Sequence, residues 1–365
     1  MDSRFTRPAR RAAAGLVGAA AVALAAAPTA LAETVETVAR GLDNPRGVAV
    51  GPDGAVYVAN AGKAGRQCQG KGEDRMCLGA SGKIVRVAGG AKRTVAKGLI
   101  SAGGPGGVFA TGAHGVSVAP DGKVYTVMTS GPPQLIKGLP KPARAQAGRL
   151  FDVSGGNLAA VARIDAFEWK RNLDKVKGDR NSNPYAVLAL ADRQIVVDAG
   201  ANAVLEVRDG KPRLLAVIPK NGRAQAVPTS VALGPDGDYY VGELAEGAGK
   251  GKARVWKVPA AGGTPSVHAK GFTAITGVAF GPDGSLYVTE FARNLRKEDA
   301  RGRVVRVAPD STRTFLGAND LMFPTGAAVD STGAVYVSNF SVLPGKTPKK
   351  SPFKGAGGSL VKITP

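Results

Sequence analysis

A single phrase recurs along this chain and constrains its fold more than any other feature. A clear copy has a short polar or Pro-containing start, an apolar run, a Pro-Asp-Gly turn and then a run of β-branched residues and Tyr. The clear copies are residues 44–60, 113–128, 228–243 and 275–290, and the degraded ones are 182–199 and 323–339. Six copies at an average spacing of about 55 residues predict a repeat protein in which each repeat is one packing unit.

Each copy predicts a β-hairpin, because the alternating runs have the period of a strand and the turn glycine, Gly54 in the first copy, permits a positive φ. A second pair of strand-like runs follows most hairpins, and these pairs begin at Lys83, Arg149, Ala203, Arg254 and Arg303. Four strands per repeat, separated by Gly and Pro turns, are typical of a propeller blade. We therefore predict an all-β fold, a six-bladed β-propeller.

The sixth repeat has a third strand, residues 359–365, but no fourth one after it. The missing strand is found at the other end of the chain, where residues 34–42 precede the first hairpin and match the outer strands of other repeats. Pairing these two segments closes the ring and removes the exposed sheet edges of an open array. We therefore predict that the N-terminal strand joins the C-terminal blade.

Residues 1–32 have the pattern of a secretory signal peptide, with a basic start, an Ala/Val/Leu run and the ending Ala30-Leu31-Ala32. Cleavage is expected after Ala32, which leaves residues 33–365 as a single propeller domain in a secreted, extracellular protein. A retained membrane anchor is the alternative, but Pro28 interrupts the apolar run. Removal of the peptide takes away four Arg and one Asp, so the formal net charge falls from +21 to +18.

The chain has two cysteines, Cys68 and Cys77, which lie nine positions apart in a loop rich in Gly and Lys. Outside the cytosol such a pair normally oxidises, so we predict a disulfide. A metal site at this loop would need further soft ligands nearby, and the sequence offers none.

In a propeller, residues just before the first strand and just after the second strand of each blade converge on one face. The polar residues at these positions are Asn44, Asn60, His114, Asn183, Asp198, Asn202, Thr229, Glu243, Thr276, Glu290, Thr325 and Asn339. Clustered oxygen ligands suit Ca²⁺, so we hypothesise a divalent cation held by some of Asp198, Glu243, Glu290, Asn183 and Asn44. The alternative is that these groups bond exposed backbone and channel water.

The sequence provides few residues for catalysis. His114 is the only histidine expected on the ring, since His268 falls in an outer strand, and it is therefore the one candidate catalytic base. Ser117 alternates within a strand and lacks a strand-to-helix nucleophile elbow. No phosphate-binding loop motif occurs. We expect a binding role rather than catalysis.

Two segments depart from the repeat. Residues 162–184 include Ile164, Phe167 and Leu173 near helical spacing, which predicts a short amphipathic helix packed over one face. Phe167 and Trp169 either cap the propeller or contact a ligand.

The second departure, residues 341–358, is a loop rich in Lys, Pro and Gly. The loop lysines favour anionic partners such as a cell-envelope polymer, although a generally basic surface is the alternative. They are Lys63, Lys71, Lys346, Lys349, Lys350 and Lys354. Aromatic residues form only 5% of the chain and provide few stacking surfaces, so we expect no nucleic-acid partner. We also expect a monomer without a transmembrane segment.

Several phrases carry a resemblance to a known family, among them GLDNPRGVAVGPDGAVYVA, GAHGVSVAPDGKVY, SNPYAVLAL, VDAGANAVLEV, AVPTSVALGPDG and FPTGAAV. With the Cys-bearing loop, they resemble the secreted ScyD/ScyE family of NHL-like six-bladed propellers over nearly the whole mature chain. The resemblance implies a propeller fold and export. We expect an exported binding or scaffolding protein for an unknown small molecule or polymer. The alternative is a metal-dependent lactonase or esterase, because the architecture and residue types also resemble six-bladed lactonases of the gluconolactonase type.

Overall fold

The computed structural model describes residues 33–295 and 299–365, so the expected signal peptide lies outside the described residues. Six antiparallel sheets form a ring, which confirms the six-bladed propeller. The first strand, β1, is Thr34–Leu42. Within the described ranges, no helix is long and apolar enough to cross a membrane.

Blade 1 contains β2 (Pro45–Val50), β3 (Val56–Asn60), β4 (Gln67–Gln69), β5 (Met76–Ala88) and β6 (Ala91–Gly103). Blade 2 contains β7 (Ala113–Val118), β8 (Val124–Met128), β9 (Arg149–Asp152) and β10 (Ala159–Arg163). Blade 3 contains β11 (Pro184–Ala189), β12 (Gln194–Asp198), β13 (Ala203–Arg208) and β14 (Lys211–Val217).

Blade 4 contains β15 (Pro228–Leu233), β16 (Tyr239–Glu243), β17 (Ala253–Val258) and β18 (Ser266–Phe272). Blade 5 contains β19 (Ile275–Phe280), β20 (Leu286–Glu290), β21 (Arg303–Val307) and β22 (Arg313–Leu316). Blade 6 contains β23 (Thr325–Val329), β24 (Val335–Asn339) and β25 (Gly358–Thr364), and its outer strand is β1.

The ring closes through the two ends of the described chain, as the sequence predicts. Strand β1 pairs antiparallel with β25, from Thr34 opposite Thr364 to Leu42 opposite Gly358. Strand β25 in turn pairs with β24 of the same blade. The blade is therefore complete only when the first and last strands meet.

Neighbouring blades pack through buried apolar side chains. For example, Val197 of blade 3 belongs to the same buried cluster as Tyr239 and Val241 of blade 4. The inner strands approach so closely that a side chain does not fit at some positions. A Cβ at Gly277 of blade 5 would lie 2.4 Å from the backbone of Gly326 in blade 6. Glycine at such a position lets adjacent blades meet around the axis.

Three short helices lie outside the blade pattern: α1 (Pro133–Lys137), α2 (Lys141–Arg144) and α3 (Ile164–Arg171). The helical spacing at Ile164 predicts α3. Phe167 packs against a buried cluster of blades 2 and 3, and Trp169 packs against the cluster of blades 1 and 2. Both contacts support the capping role, and the part of Trp169 that does not pack against the blades lines a groove.

Candidate functional site

One position of the repeat distinguishes two halves of the ring. It lies near the start of each inner strand, beside an irregularity where that strand pairs with the second strand of its blade. The residues at this position are Arg46, His114 and Tyr185 in blades 1 to 3 and Thr229, Thr276 and Thr325 in blades 4 to 6. Since the inner strands surround the axis, all six residues lie near one end of the central channel.

The three threonines connect adjacent blades. Each hydroxyl donates to a backbone carbonyl of the next blade or of the segment leading into it. The pairs are Thr229 Oγ1 to Ile275 O at 2.6 Å, Thr276 Oγ1 to Pro324 O at 3.0 Å and Thr325 Oγ1 to Pro45 O at 3.2 Å. In this half of the ring, the position is therefore structural.

The other half has three large polar side chains in contact. Arg46 Nη2 donates to Ala110 O at 2.7 Å, and the arginine also interacts with the hydroxyl of Tyr185. The rings of His114 and Tyr185 lie 4.5 Å apart between centroids. His114 Nε2 lies 2.7 Å from Thr111 Oγ1. We call Arg46, His114 and Tyr185 the channel triad.

The channel triad contains a buried cation with incomplete pairing. Arg46 is 9% exposed and His114 is 4% exposed. In the described part of the chain, Arg46 has no carboxylate partner, and neither Arg46 Nε nor His114 Nδ1 has a hydrogen-bond partner. Buried polar groups without partners are rare in native proteins because their desolvation costs free energy. The pair is therefore a candidate for a ligand contact.

Burial also determines the charge of the triad. Burial lowers the pKa of Arg46, although the contact with Tyr185 acts in the opposite direction. Burial and, to a lesser extent, the charge of Arg46 lower the pKa of His114 to about 3. His114 is therefore neutral near pH 7 while Arg46 keeps its charge. When Thr111 donates to His114 Nε2, Nδ1 carries the proton and is a free donor.

A small cavity lies on the axis beside His114 and Tyr185, and Arg46 is not among the residues that line it. Its volume is about 60 Å³, and its lining includes His114, Tyr185, Gly47 and Gly115. A single water molecule requires roughly 10–15 Å³ measured in this way. The cavity therefore has room for a few waters or one compact oxyanion, and not for a sugar ring.

Asp198, the first hypothesised metal ligand, is the last residue of β12 and is fully buried. Its Oδ2 accepts a hydrogen bond from Ser182 Oγ at 2.6 Å. Its Oδ1 accepts from the backbone N–H groups of Asn183, Gly200 and Ala201. Burial raises the pKa of Asp198 to about 6, while these hydrogen bonds act in the opposite direction. The carboxylate holds the loop after β12 in place.

Glu243 and Glu290 end the second strands of blades 4 and 5 and are also buried. Glu243 accepts from Arg254 Nε at 2.6 Å and from Trp256 Nε1 at 2.9 Å. Glu290 accepts from Arg303 Nε at 2.5 Å. Each glutamate thus forms an ion pair with an arginine of the third strand of its own blade.

The two asparagines hypothesised as ligands, Asn44 and Asn183, also form hydrogen bonds within the protein. Asn44 Nδ2 donates to Gly62 O and Gly107 O, and Asn183 Oδ1 accepts from Thr129 Oγ1 at 2.9 Å. Across residues 33–295 and 299–365, no group of three or more His, Cys, Asp or Glu side chains could hold a metal ion. The five residues hypothesised as calcium ligands each form hydrogen bonds with protein groups in this structure.

The remaining candidates have defined positions. Cys68 in β4 lies opposite Cys77 in β5 and forms a disulfide with it, which confirms the pairing. Ser117 Oγ accepts from the backbone N–H of Ala189, so this hydroxyl is used within the fold. His268 is exposed on β18 and packs edge-on against Tyr240, as expected for an outer strand.

Sequence reasoning missed Arg46 and Tyr185. Aligning the repeats on the phrase that contains Gly47, Gly115 and Gly277 would have exposed the position, because Arg, His and Thr precede these glycines. The contact between Arg46 and Tyr185 could not be found that way, since it joins residues of different blades.

Neither protein-family models nor curated proteins match the sequence. Solved structures do resemble the fold. A gluconolactonase from Xanthomonas campestris matches with a TM-score of 0.53 and 8% identity, over 91% of this chain and 89% of that one. The PQQ-bound aldose sugar dehydrogenase from Streptomyces coelicolor matches with a TM-score of 0.52 and 14% identity, over 91% and 99%.

A luciferin-regenerating enzyme matches with a TM-score of 0.52 and 11% identity, over 92% of this chain and 96% of that one. At these identities the likeness concerns the fold alone. The structural neighbours are six-bladed propeller proteins, and this chain belongs to the same class of fold.

Proposed function

We propose that this protein is an exported binding protein that takes an anionic group of its ligand at the channel triad. The observation that carries the proposal is the buried guanidinium of Arg46, which has a free Nε and no carboxylate partner in the described residues. A buried charge without a counter-ion destabilises the folded state. A bound anion would offset that cost, so the triad is better explained as a site than as a stabilising contact.

The chemistry of the donors selects the ligand class. Arginine presents a planar set of N–H donors that matches a carboxylate, sulfate or phosphate. Neutral His114 and the Tyr185 hydroxyl add donors without adding charge. The small cavity accommodates a compact group, so a larger ligand would place only its carboxylate or phosphate end there.

The alternative function is a metal-dependent lactonase or esterase. It is motivated by the architecture and residue types that the chain shares with propellers of the gluconolactonase type. Against it, Glu243 and Glu290 are bound to arginines and Asp198 to four donors. A pKa of about 3 makes His114 a weak base, and its Nε2 already contacts the hydroxyl of Thr111 at 2.7 Å.

Export and family membership belong to the same proposal. The basic, Ala-rich start of the sequence and the Cys68–Cys77 disulfide support an oxidising, extracellular location. The six-bladed ring and the Cys-bearing loop support membership of the ScyD/ScyE family.

Calorimetric titration tests the proposal. Sulfate, phosphate and acetate are titrated at constant ionic strength into the wild type, Arg46→Met and Arg223→Met, whose arginine is exposed and serves as the control. We expect one saturable oxyanion site that Arg46→Met abolishes and Arg223→Met retains. Equal binding by all three proteins would place the anion elsewhere. Calorimetry also tests the alternative function. Saturable Ca²⁺ binding together with hydrolysis of a lactone would favour the metal-dependent lactonase.

A further inference from the structure

We propose a second site, independent of the channel, that binds an acidic polysaccharide, meaning a chain of sugar rings that carry carboxylates. The site is a groove of about 520 Å³ along blade 2. It is formed by α1, α2 and α3 together with the start of β9 and the end of β10. All three helices lie in segments that the blade repeat does not require, so these insertions build the groove.

The groove has an excess of positive charge. Lys137, Lys141, Arg144, Arg149 and Arg163 line it. Of these five, only Arg163 forms an ion pair within the described residues, with the buried Asp165 at 3.1 Å from Nη2 to Oδ2. Arg149 Nε is buried and has no hydrogen-bond partner there. Asp165 also interacts with the charge of Arg149, so three cations, Lys137, Lys141 and Arg144, are left without a nearby carboxylate among the described residues. Three such cations in one groove attract an anionic chain more strongly than scattered surface lysines do.

An aromatic ring lies among these cations. Trp169 is half-buried in the groove, and the guanidinium of Arg163 lies 6.0 Å from the centre of its ring. Trp169 Nε1 donates to Gly131 O at 3.2 Å, so the polar atom of the indole is already satisfied. Part of the apolar ring lines the groove, while Arg163 lies over it and the rest packs against the buried cluster of blades 1 and 2.

The two features together favour a sugar chain over other polyanions. The apolar C–H face of a sugar ring can pack on Trp169 while its carboxylate contacts the lysines and arginines on either side. A polyphosphate chain would use the cations but has no apolar face for the indole. The volume lies within the range of pre-formed ligand sites, so the groove accommodates a short stretch of the polymer.

The test uses matched double variants. Lys137→Glu/Lys141→Glu changes the groove, and Lys349→Glu/Lys350→Glu makes the same charge change at exposed lysines of the C-terminal loop. Binding of a galacturonic acid oligomer, an uncharged galactose oligomer and polyphosphate is measured at physiological salt by calorimetry. Trp169→Leu is the third variant, because it keeps an apolar side chain but removes the planar ring. Melting curves establish that each variant is folded.

We expect the wild type to bind the galacturonic acid oligomer and not the galactose oligomer. The groove variant should bind about tenfold more weakly, because two attractive charges become repulsive, while the loop variant changes little. Trp169→Leu should weaken binding of the galacturonic acid oligomer but not of polyphosphate. Equal losses in both double variants, or no effect of Trp169→Leu on the sugar, would overturn the proposal and indicate a non-specific basic surface.

Discussion

Replacing Arg46 by methionine should stabilise the protein in the absence of ligand. The substitution keeps an unbranched apolar stem and removes a guanidinium that is 9% exposed. The loss is the charge-assisted hydrogen bond from Nη2 to Ala110 O at 2.7 Å, together with the contact with the Tyr185 hydroxyl. Such a bond contributes about 1.5–3 kcal/mol to stability. The gain is relief from burying an unpaired ion, which costs several kcal/mol.

The balance favours the variant by about 1–2 kcal/mol, which corresponds to a rise in Tm of roughly 1–3 °C for a domain of this size. The Tm of the wild type and of Arg46→Met is measured by differential scanning calorimetry in a buffer without oxyanions. Arg46→Lys, which keeps the charge, is the control and should not gain stability. Sulfate should raise the Tm of the wild type by more than that of Arg46→Met, which gains only the general stabilising effect of this salt. A fall in Tm for Arg46→Met without ligand would show that the arginine is a structural group and refute the reasoning.

Three further predictions concern the rest of the chain. Burial raises the pKa of Glu168 to about 7, so the native state binds the extra proton between about pH 4.5 and 7 and stability falls as pH rises through that window. Over this pH range the free energy of unfolding of Glu168→Gln should fall by up to about 3 kcal/mol less than that of the wild type. A pH profile of urea unfolding identical to that of the wild type would contradict the prediction. Cys68→Ser/Cys77→Ser should lose about 2–3 kcal/mol, since the short loop is no longer closed in the unfolded state, whereas a Tm equal to the wild type would mean that the disulfide does not constrain the chain. Deletion of residues 34–42 should expose the outer edge of β25 and cause aggregation, and a truncated monomer with an unchanged melting curve would count against closure through β1.

The fold could be predicted from the sequence because its information is local and repeated. A Pro-Asp-Gly turn between two alternating runs specifies a hairpin, and six hairpins at a regular spacing specify a ring. The closure of the ring could also be predicted, because residues 34–42 match the outer strands of other repeats. In the structure, β1 is the outer strand of blade 6.

The site could be predicted only in part. The repeat alignment places Glu243 and Glu290 correctly at the ends of second strands, but it does not show that Arg254 and Arg303 on the third strands bind them. Those contacts depend on which side chains face each other within a blade. The channel triad depends on contacts between blades, and sequence spacing contains no information about which blades' side chains meet at the axis.

The position of a bound oxyanion is the most direct test of whether the channel triad is an anion site. Selenate resembles sulfate and scatters X-rays anomalously, so crystals of residues 33–365 soaked in selenate reveal its position without assumptions. We expect an anomalous peak within hydrogen-bonding distance of Arg46 Nε and His114 Nδ1, and no such peak in Arg46→Met crystals. An empty channel triad at saturating selenate, with the Arg46 guanidinium bonded only to protein, would contradict it.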